Sequence, residues 1–457
     1  LEENEMEIVP FVHEGLGNSS YLVALGGGRA FLVDPDRTAG RYLQAAERRG
    51  WRIEAVFETH LHADFVTGAG EVTHATGAGV YISAESGVRL PHTGLKGGDR
   101  LTLDGLEVEV ISSPGHSPES LSYVFRAAGA APALFSGGAM TAGSAARTDL
   151  VSPEFTEPLT RALFQTIRNA YNHLPDETLL LPTHGSGSFC TAGGGGERTS
   201  TLGRERQTNA LLMYDDEDEF LRWFPTTFPA IPAYFMHMRA LNQAGPRLRK
   251  EIPMPGAMPP EEFRAAAHSA VIVDVRPTKD YANSHIPGSL SNAFRSSYAT
   301  WLGWLVPLGA PLLFVTGSEP LDQVIDESLL VGQENFAGML DGGIDAWRAA
   351  GYETASVERL QPRDLRRLAA GGLTLLDVRE PDEFSAGRIQ GALHIPLGSL
   401  AGNLDRIPRD RPVVAYCGKG ERSATAASIL ERAGFAGVRN LEGGIAAWRA
   451  AGQPVTV

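Results

Sequence analysis

Two cysteines in 457 residues leave no material for a disulfide framework. Cys190 and Cys417 lie far apart in different contexts, which points to a reducing compartment and makes each thiol worth reading as a chemical group. Positive charge is also short, with 40 lysines and arginines against 54 acidic residues and a net charge of −14. That balance favours solubility and argues against a nucleic-acid partner. Long apolar runs are missing. The longest uncharged stretch lies between Arg295 and Glu319 and contains WLGWLVPLGAPLLFV, interrupted by Pro307 and Pro311. It reads as a buried strand with its approach loop, not as a membrane span. The opening LEENEMEIVP is acidic where a signal peptide would be basic. The remainder is ordinary globular composition, 43% apolar and 21% charged. The chain is too long for one core, so roughly two to four domains are expected.

A repeat organises the second half. One copy reads 271-VIVDVRPTKDYANSHIPGSL-290 and ends in 340-LDGGIDAWRAAG-351. The other reads 374-TLLDVREPDEFSAGRIQGAL-393 and ends in 441-LEGGIAAWRAAG-452. Asp274 and Asp377 stand 103 residues apart, and Gly342 and Gly443 stand 101 apart. Each copy opens with an apolar strand ending in Asp and continues into helical and turn segments, which suggests a small parallel α/β sheet. The stretch 252-IPMPGAMPPEEF-263 reads as the linker before them. The expected domains are residues 1–250, 257–354 and 357–457. In the first, strands are expected at 21-YLVAL-25, 30-AFLVDP-35, 55-AVFETH-60, 106-LEVEVISSPGH-116 and 133-ALFSGG-138, with a helix over 40-GRYLQAAERRG-50. Histidines follow several of these strands, where open α/β sheets gather functional groups.

The sharpest chemical signal is 412-PVVAYCGKGERSATAASILERAG-434. An apolar strand delivers Cys417, a glycine-bearing loop follows, and an alanine-rich helix begins near Ser423. Backbone N–H groups and the helix dipole at such a junction stabilise a thiolate, and Lys419 and Arg422 add positive charge. Cys417 is therefore read as a nucleophile, framed by Gly418, Lys419, Gly420, Glu421, Arg422 and Ser423. The loop C-G-K-G-E-R-S, with D-V-R upstream and E-G-G-x-x-A-W downstream, resembles a rhodanese domain. The resemblance implies that the cysteine accepts a sulfane sulfur as a persulfide and passes it to a thiophilic acceptor. Four residues separate Cys417 from Arg422, one fewer than in the related phosphatase-type loops, so sulfur is preferred over phosphate. In the middle copy, 311-PLLFVTGSEP-320 aligns with this region, Thr316 takes the cysteine position and no arginine follows in register. That copy is expected to be inactive, with a packing or docking role.

The first domain carries 58-ETHLHADF-65, an H-x-H-x-D array. His60 and His62 flank Leu61 at a strand end and can face one cavity. His116 follows in 113-SPGHSPES-120 and His184 in 181-LPTHGSGSFC-190. A lone histidine is more often a core or surface residue. Four on comparable loops favour a metal-derived site, and neutral imidazoles suit iron or zinc.

These loops resemble the metallo-β-lactamase fold, and within it the branch of persulfide dioxygenases and glyoxalase II-like hydrolases. The marks are 15-GLGNSSYLV-23, V-D-P at 33–35, T-H-L-H-A-D at 59–64, P-G-H-S at 114–117, R-T-D-L at 147–150 and 199-TSTLGRERQTN-209. With the two rhodanese-like copies behind, the order resembles persulfide dioxygenase–sulfurtransferase fusions. The resemblance implies an αβ/βα sandwich followed by two parallel-sheet α/β domains. It also implies Fe(II), or zinc as the alternative, held by the first histidine of H-x-H, the histidine of P-G-H and an aspartate in F-x-G-D. His60 and His116 match the first two. The third position, in 135-FSGGAM-140, is Gly138, and Phe65 replaces a ligand of the second metal in dinuclear relatives. A dinuclear thioester hydrolase is therefore disfavoured. Two readings stay open: His60, His62 and His116 hold one ion, or the domain is a metal-free binding module. Asp64 and His184 are expected to support the site or face substrate. Cys190 is a candidate sulfur acceptor, the plain alternative being a small buried residue. The implied function is persulfide oxidation coupled to sulfur transfer through Cys417. The expected partners are a low-molecular-weight thiol persulfide, thiosulfate and sulfite, with neither nucleic acid nor membrane. A cytoplasmic homo-oligomer is expected.

Overall fold

The computed structural model describes residues 6–457 except 26, 104, 193–196 and 370–371. The acidic opening residues 1–5 lie outside the described residues. The chain divides into two compact units, residues 1–252 with 326–332, and residues 253–325 with 333–457.

In the first unit, strand Leu106–Ser112 alternates buried and outward residues, so Leu106, Val108 and Val110 face a core while Glu107 faces out. Ala133–Gly137 is buried throughout because both of its faces are covered. Two six-stranded sheets result. The first runs in chain order from Glu7–His13 through Asn18–Leu25, Arg29–Val33, Arg52–Phe57 and Gly79–Ser83 to Thr93–Leu95. The second runs from Arg100–Leu103 through Leu106–Ser112, Leu121–Arg126 and Ala133–Gly137 to Leu179–Pro182 and Ser200–Thr201. Their inner faces share one core, where Phe57 meets Phe125 at 5.2 Å and Tyr21 meets Phe135 at 5.4 Å between ring centroids. Helix Ala39–Arg49 covers the outer face of the first sheet with Ala39, Tyr42, Ala45 and Ala46, and ends at Gly50 in the left-handed conformation. Helix Pro153–Asn169 covers the second sheet with Leu163, Phe164 and Ile167. This is the expected αβ/βα sandwich.

The second unit holds two five-stranded, all-parallel sheets. One orders its strands Ala257–Met258, Phe336–Leu340, Leu312–Val315, Val271–Asp274, Leu290–Ser291, and the other Glu358–Leu360, Arg439–Leu441, Val413–Tyr416, Thr374–Asp377, Leu393–His394. The same spatial order recurs, so the sequence repeat is a structural repeat. Its signatures have local causes. In each D-V-R the arginine returns to the aspartate two residues before it, Arg276 to Asp274 at 2.5 Å and Arg379 to Asp377 at 2.6 Å, with both carboxylates fully buried. In each G-G pair both glycines have positive φ and start the following helix, and a Cβ on Gly444 would stand 2.2 Å from Cys417 O.

The uncharged run is not a strand with a loop alone. Strand Leu312–Val315 is present, but helix Tyr298–Leu305 precedes it, with the Trp301 and Trp304 rings stacked at 5.3 Å. Every residue of that helix except Leu305 is buried, so it carries no amphipathic period to read. No helix among the described residues is long and apolar enough to cross a membrane.

Candidate functional site

Strand Val413–Tyr416 is buried along its length and delivers Cys417 to a loop that enters helix Glu421–Arg432. The helix begins two residues earlier than the sequence pattern suggested. Gly420 turns the chain with φ near +100°, a conformation that favours glycine. Its N–H donates to Cys417 Sγ at 3.1 Å, and the Ser423 hydroxyl donates at 3.4 Å. Asn440 Nδ2 donates to Gly420 O at 2.9 Å and steadies the loop. The cysteine is 1% exposed, so it lies at the bottom of this cradle. Arg422 is clamped by both Glu383 oxygens, at 2.6 and 2.7 Å. Burial works against the Arg422 charge, but Glu383 outweighs it and raises the arginine above its ordinary value. Gly418 is half-buried, and Lys419 and Glu421 are exposed at the rim.

In the middle copy, Thr316 follows Leu312–Val315 where Cys417 follows Val413–Tyr416. Its hydroxyl points to Met339 Sδ at 3.7 Å, and the Gly317 N–H is taken by Glu319 at 2.7 Å. The loop's donor is thus spent on an internal carboxylate.

In the first unit the histidines sort into two kinds. His60, His116 and His184 bring ligating nitrogens within 4.8 Å of one another. His60 Nε2 and His184 Nε2 are 3.1 Å apart. The opposite nitrogens of His60 and His116 are anchored. His60 Nδ1 meets Thr59 Oγ1 at 2.8 Å, and that hydroxyl donates onward to Asp34 at 2.8 Å, leaving its lone pair for the imidazole N–H. His116 Nδ1 donates to Arg147 O at 2.7 Å. Asp64 lies 3.2 Å from His184 Nδ1. With Nδ1 protonated in His60 and His116, their Nε2 lone pairs are left for a metal, the arrangement that outer hydrogen bonds impose on metal-binding histidines. Burial holds His116 down to about 3 and lowers His60 well below its ordinary value, so both stay neutral.

His62, expected beside His60 and His116 as a ligand, is engaged elsewhere. Its Nε2 sits 2.8 Å from Glu58 and 3.4 Å from Asp34, and its ring stacks on Phe65 at 4.2 Å. Burial disfavours a charge there, but Asp34 and Glu58 outweigh it and push His62 up to about 10. Two further groupings, Asp34–His60–His62 and His62–Asp64–His184, satisfy the same distances. Both need His62 to give up its proton and its carboxylates, so the His60–His116–His184 set is the better cation site. Asp34 is the one residue other than glycine with positive φ among the described residues. Its carboxylate also accepts the Thr59 N–H at 2.7 Å and the Thr183 hydroxyl, so a strained backbone position ties together the strand ends that carry the site. Neither Asp34 nor Glu58 was assigned a role by sequence reasoning, although V-D-P and the residue before T-H-L-H are the signals that could have found them.

Gly138 is more than a missing ligand. A Cβ there would stand 2.6 Å from His116 Cδ2, 2.8 Å from His116 Cγ and 2.9 Å from Ala146 Cβ. The His116 ring occupies the space that a side chain at 138 would need. Cys190, the candidate sulfur acceptor, does not fit that role. It is 0% exposed, burial pushes its thiol well above the usual range, and its carbonyl accepts the Arg147 N–H at 2.7 Å. It is a core residue that helps fix Arg147, whose own carbonyl fixes His116. An apolar cavity of about 40 Å³ lined by Leu61, Val80, Ile82 and Leu90 adjoins Glu58, His60 and His62.

The metallo-beta-lactamase superfamily matches residues 13–192, and the rhodanese-like domain matches residues 259–350 and 361–451. A crystal structure of a metallo-beta-lactamase from Staphylococcus aureus subsp. aureus COL is 27% identical with a TM-score of 0.66, covering 74% of this chain and 99% of that one. The thiosulfate sulfurtransferase GlpE of Pseudomonas aeruginosa is 35% identical over 92 residues, 20% of this chain and 84% of that protein. The probable adenylyltransferase/sulfurtransferase MoeZ of Mycobacterium tuberculosis is 40% identical over 129 residues, 27% of this chain and 31% of that protein. The chain thus spans less than a third of the length of the MoeZ proteins it matches. It belongs to the rhodanese family, carrying two such domains behind a domain of the metallo-β-lactamase superfamily.

Proposed function

We propose that the protein transfers sulfane sulfur through Cys417 and oxidises a thiol persulfide at a metal held by His60, His116 and His184. The observation that carries the first half is the Cys417 sulfur cradled by the Gly420 N–H and the Ser423 hydroxyl at a helix start. With thiosulfate, the Cys417 thiolate attacks the outer sulfur. A new S–S bond forms, the old one breaks, and its electron pair leaves on sulfite. In the second step a thiolate or cyanide attacks the outer sulfur of the Cys417 persulfide, and the electron pair returns to Cys417. Gly420 and Ser423 donate to the sulfur that carries charge at both ends of this cycle. The depth of Cys417 restricts attack to a slim terminal atom, which an outer sulfur is. The similarity to a protein named as a thiosulfate sulfurtransferase supports this choice of donor.

For the second half, the chemistry of the donor set fits a divalent ion. His60 Nε2 and His184 Nε2, 3.1 Å apart, are close enough to share one divalent ion. Iron(II) bound there would supply the exchange of electrons with O₂ that persulfide oxidation requires. Thr59 and Arg147 orient His60 and His116, Asp64 lies 3.2 Å from His184 Nδ1, and the ion-paired His62–Glu58–Asp34 cluster stands beside them. The second reading, a sulfurtransferase with a metal-free first domain, is favoured by the missing carboxylate at Gly138. A thioester hydrolase is disfavoured because Phe65 is fully buried against His62 and no bridging carboxylate stands at position 138.

The test has two arms. Thiosulfate–cyanide turnover should vanish in Cys417→Ser; unchanged turnover removes the transfer reading. Protein purified without added metal should carry iron and consume O₂ with glutathione persulfide. Less than about a tenth of an equivalent of iron leaves the metal-free reading standing.

A further inference from the structure

The copy without a cysteine lies along the helix that carries the other copy's active loop. Three contacts run the length of Glu421–Arg432. Arg295 meets Glu421 at 2.9 Å, the Ser291 N–H donates to Ser428 at 3.1 Å, and His285 meets Glu431 at 3.2 Å. The first of these is at the rim of the Cys417 loop. Close packing extends beside it, since a Cβ on Gly398 would stand 2.2 Å from the Trp304 ring.

The charges around the sulfur are not equivalent. Arg422 is neutralised by a two-point clamp with Glu383. Arg295 gives one N–H to Glu421, and a guanidinium carries five. The Arg295 side chain is 25% exposed and that of Glu421 48%, so this pair can exchange partners at little cost. Burial lowers the Arg295 pKa, Glu421 and then the Cys417 thiolate oppose that, and Arg422 adds to it. The contact of Arg295 with Glu421, the first residue of the helix that follows the Cys417 loop, places the guanidinium at the rim of that loop.

Resting on the transfer reading above, we propose that Arg295, supplied by the inactive copy, is the residue that selects anionic sulfur donors for Cys417. Its planar fork matches the sulfonate oxygens of thiosulfate, with Glu421 giving way as the donor enters. The same contact holds the sulfite that departs. The inactive copy is thus retained as half of a substrate site. Arg295 is a specificity residue and takes no part in the bond changes.

The test compares two donors on the full chain. Thiosulfate presents an oxyanion. Cysteamine persulfide delivers its outer sulfur to Cys417 by the same displacement, leaves as cysteamine thiolate, and has a carrier with no anionic group. Arg295→Ala should raise KM for thiosulfate by about tenfold or more, the loss of one charge-assisted contact, with kcat held. KM for cysteamine persulfide should change less than about twofold. Arg295→Lys should recover part of the thiosulfate KM, and Glu421→Gln should lower it by freeing the guanidinium. Equal losses with both donors would mean that Arg295 only holds the two copies together, and an unchanged thiosulfate KM would also overturn the proposal. Cys417→Ser run alongside separates this from failure of the transfer reading, because activity surviving in that variant with either donor would remove the site itself.

Discussion

Gly138→Asp restores the residue that the resemblance leads one to expect, and it should make the histidine site worse. The added Cβ would sit 2.6 Å from His116 Cδ2 and 2.9 Å from Ala146 Cβ. Relief by a small ring movement is blocked, since His116 Nδ1 is tied to Arg147 O at 2.7 Å and Arg147 is itself held to Asp149 at 2.7 Å. Forcing extra atoms into such a place costs about 1–3 kcal/mol, and an incompletely paired carboxylate adds to that. His116 would be pushed off the point that it shares with His60 and His184, so bound metal should fall along with stability. Urea unfolding followed by near-ultraviolet circular dichroism, with iron and zinc measured per chain, reads both quantities. A variant as stable as the parent that binds more metal would refute the reasoning, since Gly138 would then be an empty ligand position and not a space already filled by His116.

Other outcomes follow from individual side chains. Cys190→Ala should leave thiosulfate turnover within about twofold and cost about 1–2 kcal/mol of stability, because a buried thiol is lost without a chemical role; loss of turnover beyond tenfold would reinstate Cys190 as a sulfur carrier. Thr316→Cys should not create a second sulfur-accepting site, because Glu319 holds the Gly317 N–H; sulfur from thiosulfate appearing on the introduced thiol would contradict this. Glu380 is pushed up to about 7 by burial, which Glu383 and Asp382 reinforce against Arg422. Its folded pKa exceeds the unfolded value, so the unfolded chain loses this proton first and stability should fall as pH rises from about 4.5 to about 7. Glu380→Gln should flatten that fall, by an amount on the order of 1–3 kcal/mol, in urea midpoints measured at pH 4.5 and 8; an unchanged pH profile would count against a raised Glu380.

What could be read from the sequence was what is decided locally. The Cys417 loop, the D-V-R staple and the G-G helix start each close within a few residues, so their pattern carries their structure. The sandwich was legible because strands such as Leu106–Ser112 show their alternation directly. The roles of the histidines were not, because partners distant in the chain decide them. His62 is claimed by Asp34, which is 28 positions earlier and reaches it through an unusual backbone angle. His184 faces His60 across 124 positions. Cys190 lies in a glycine- and serine-rich stretch that looks open, yet it is fully buried. Helix Tyr298–Leu305 was read as loop because burial on all sides removes the periodicity that marks a surface helix. Arg295 lies at the edge of an apolar run and shows its use only where two repeats meet.

The most direct measurement is mass spectrometry of the full chain after brief exposure to thiosulfate, alkylated and digested without reductant. One added sulfur atom on the peptide containing Cys417, with none on that containing Cys190, is the result predicted. Sulfur found only on Cys190, or on neither cysteine, would contradict the assignment of Cys417 as the carrier.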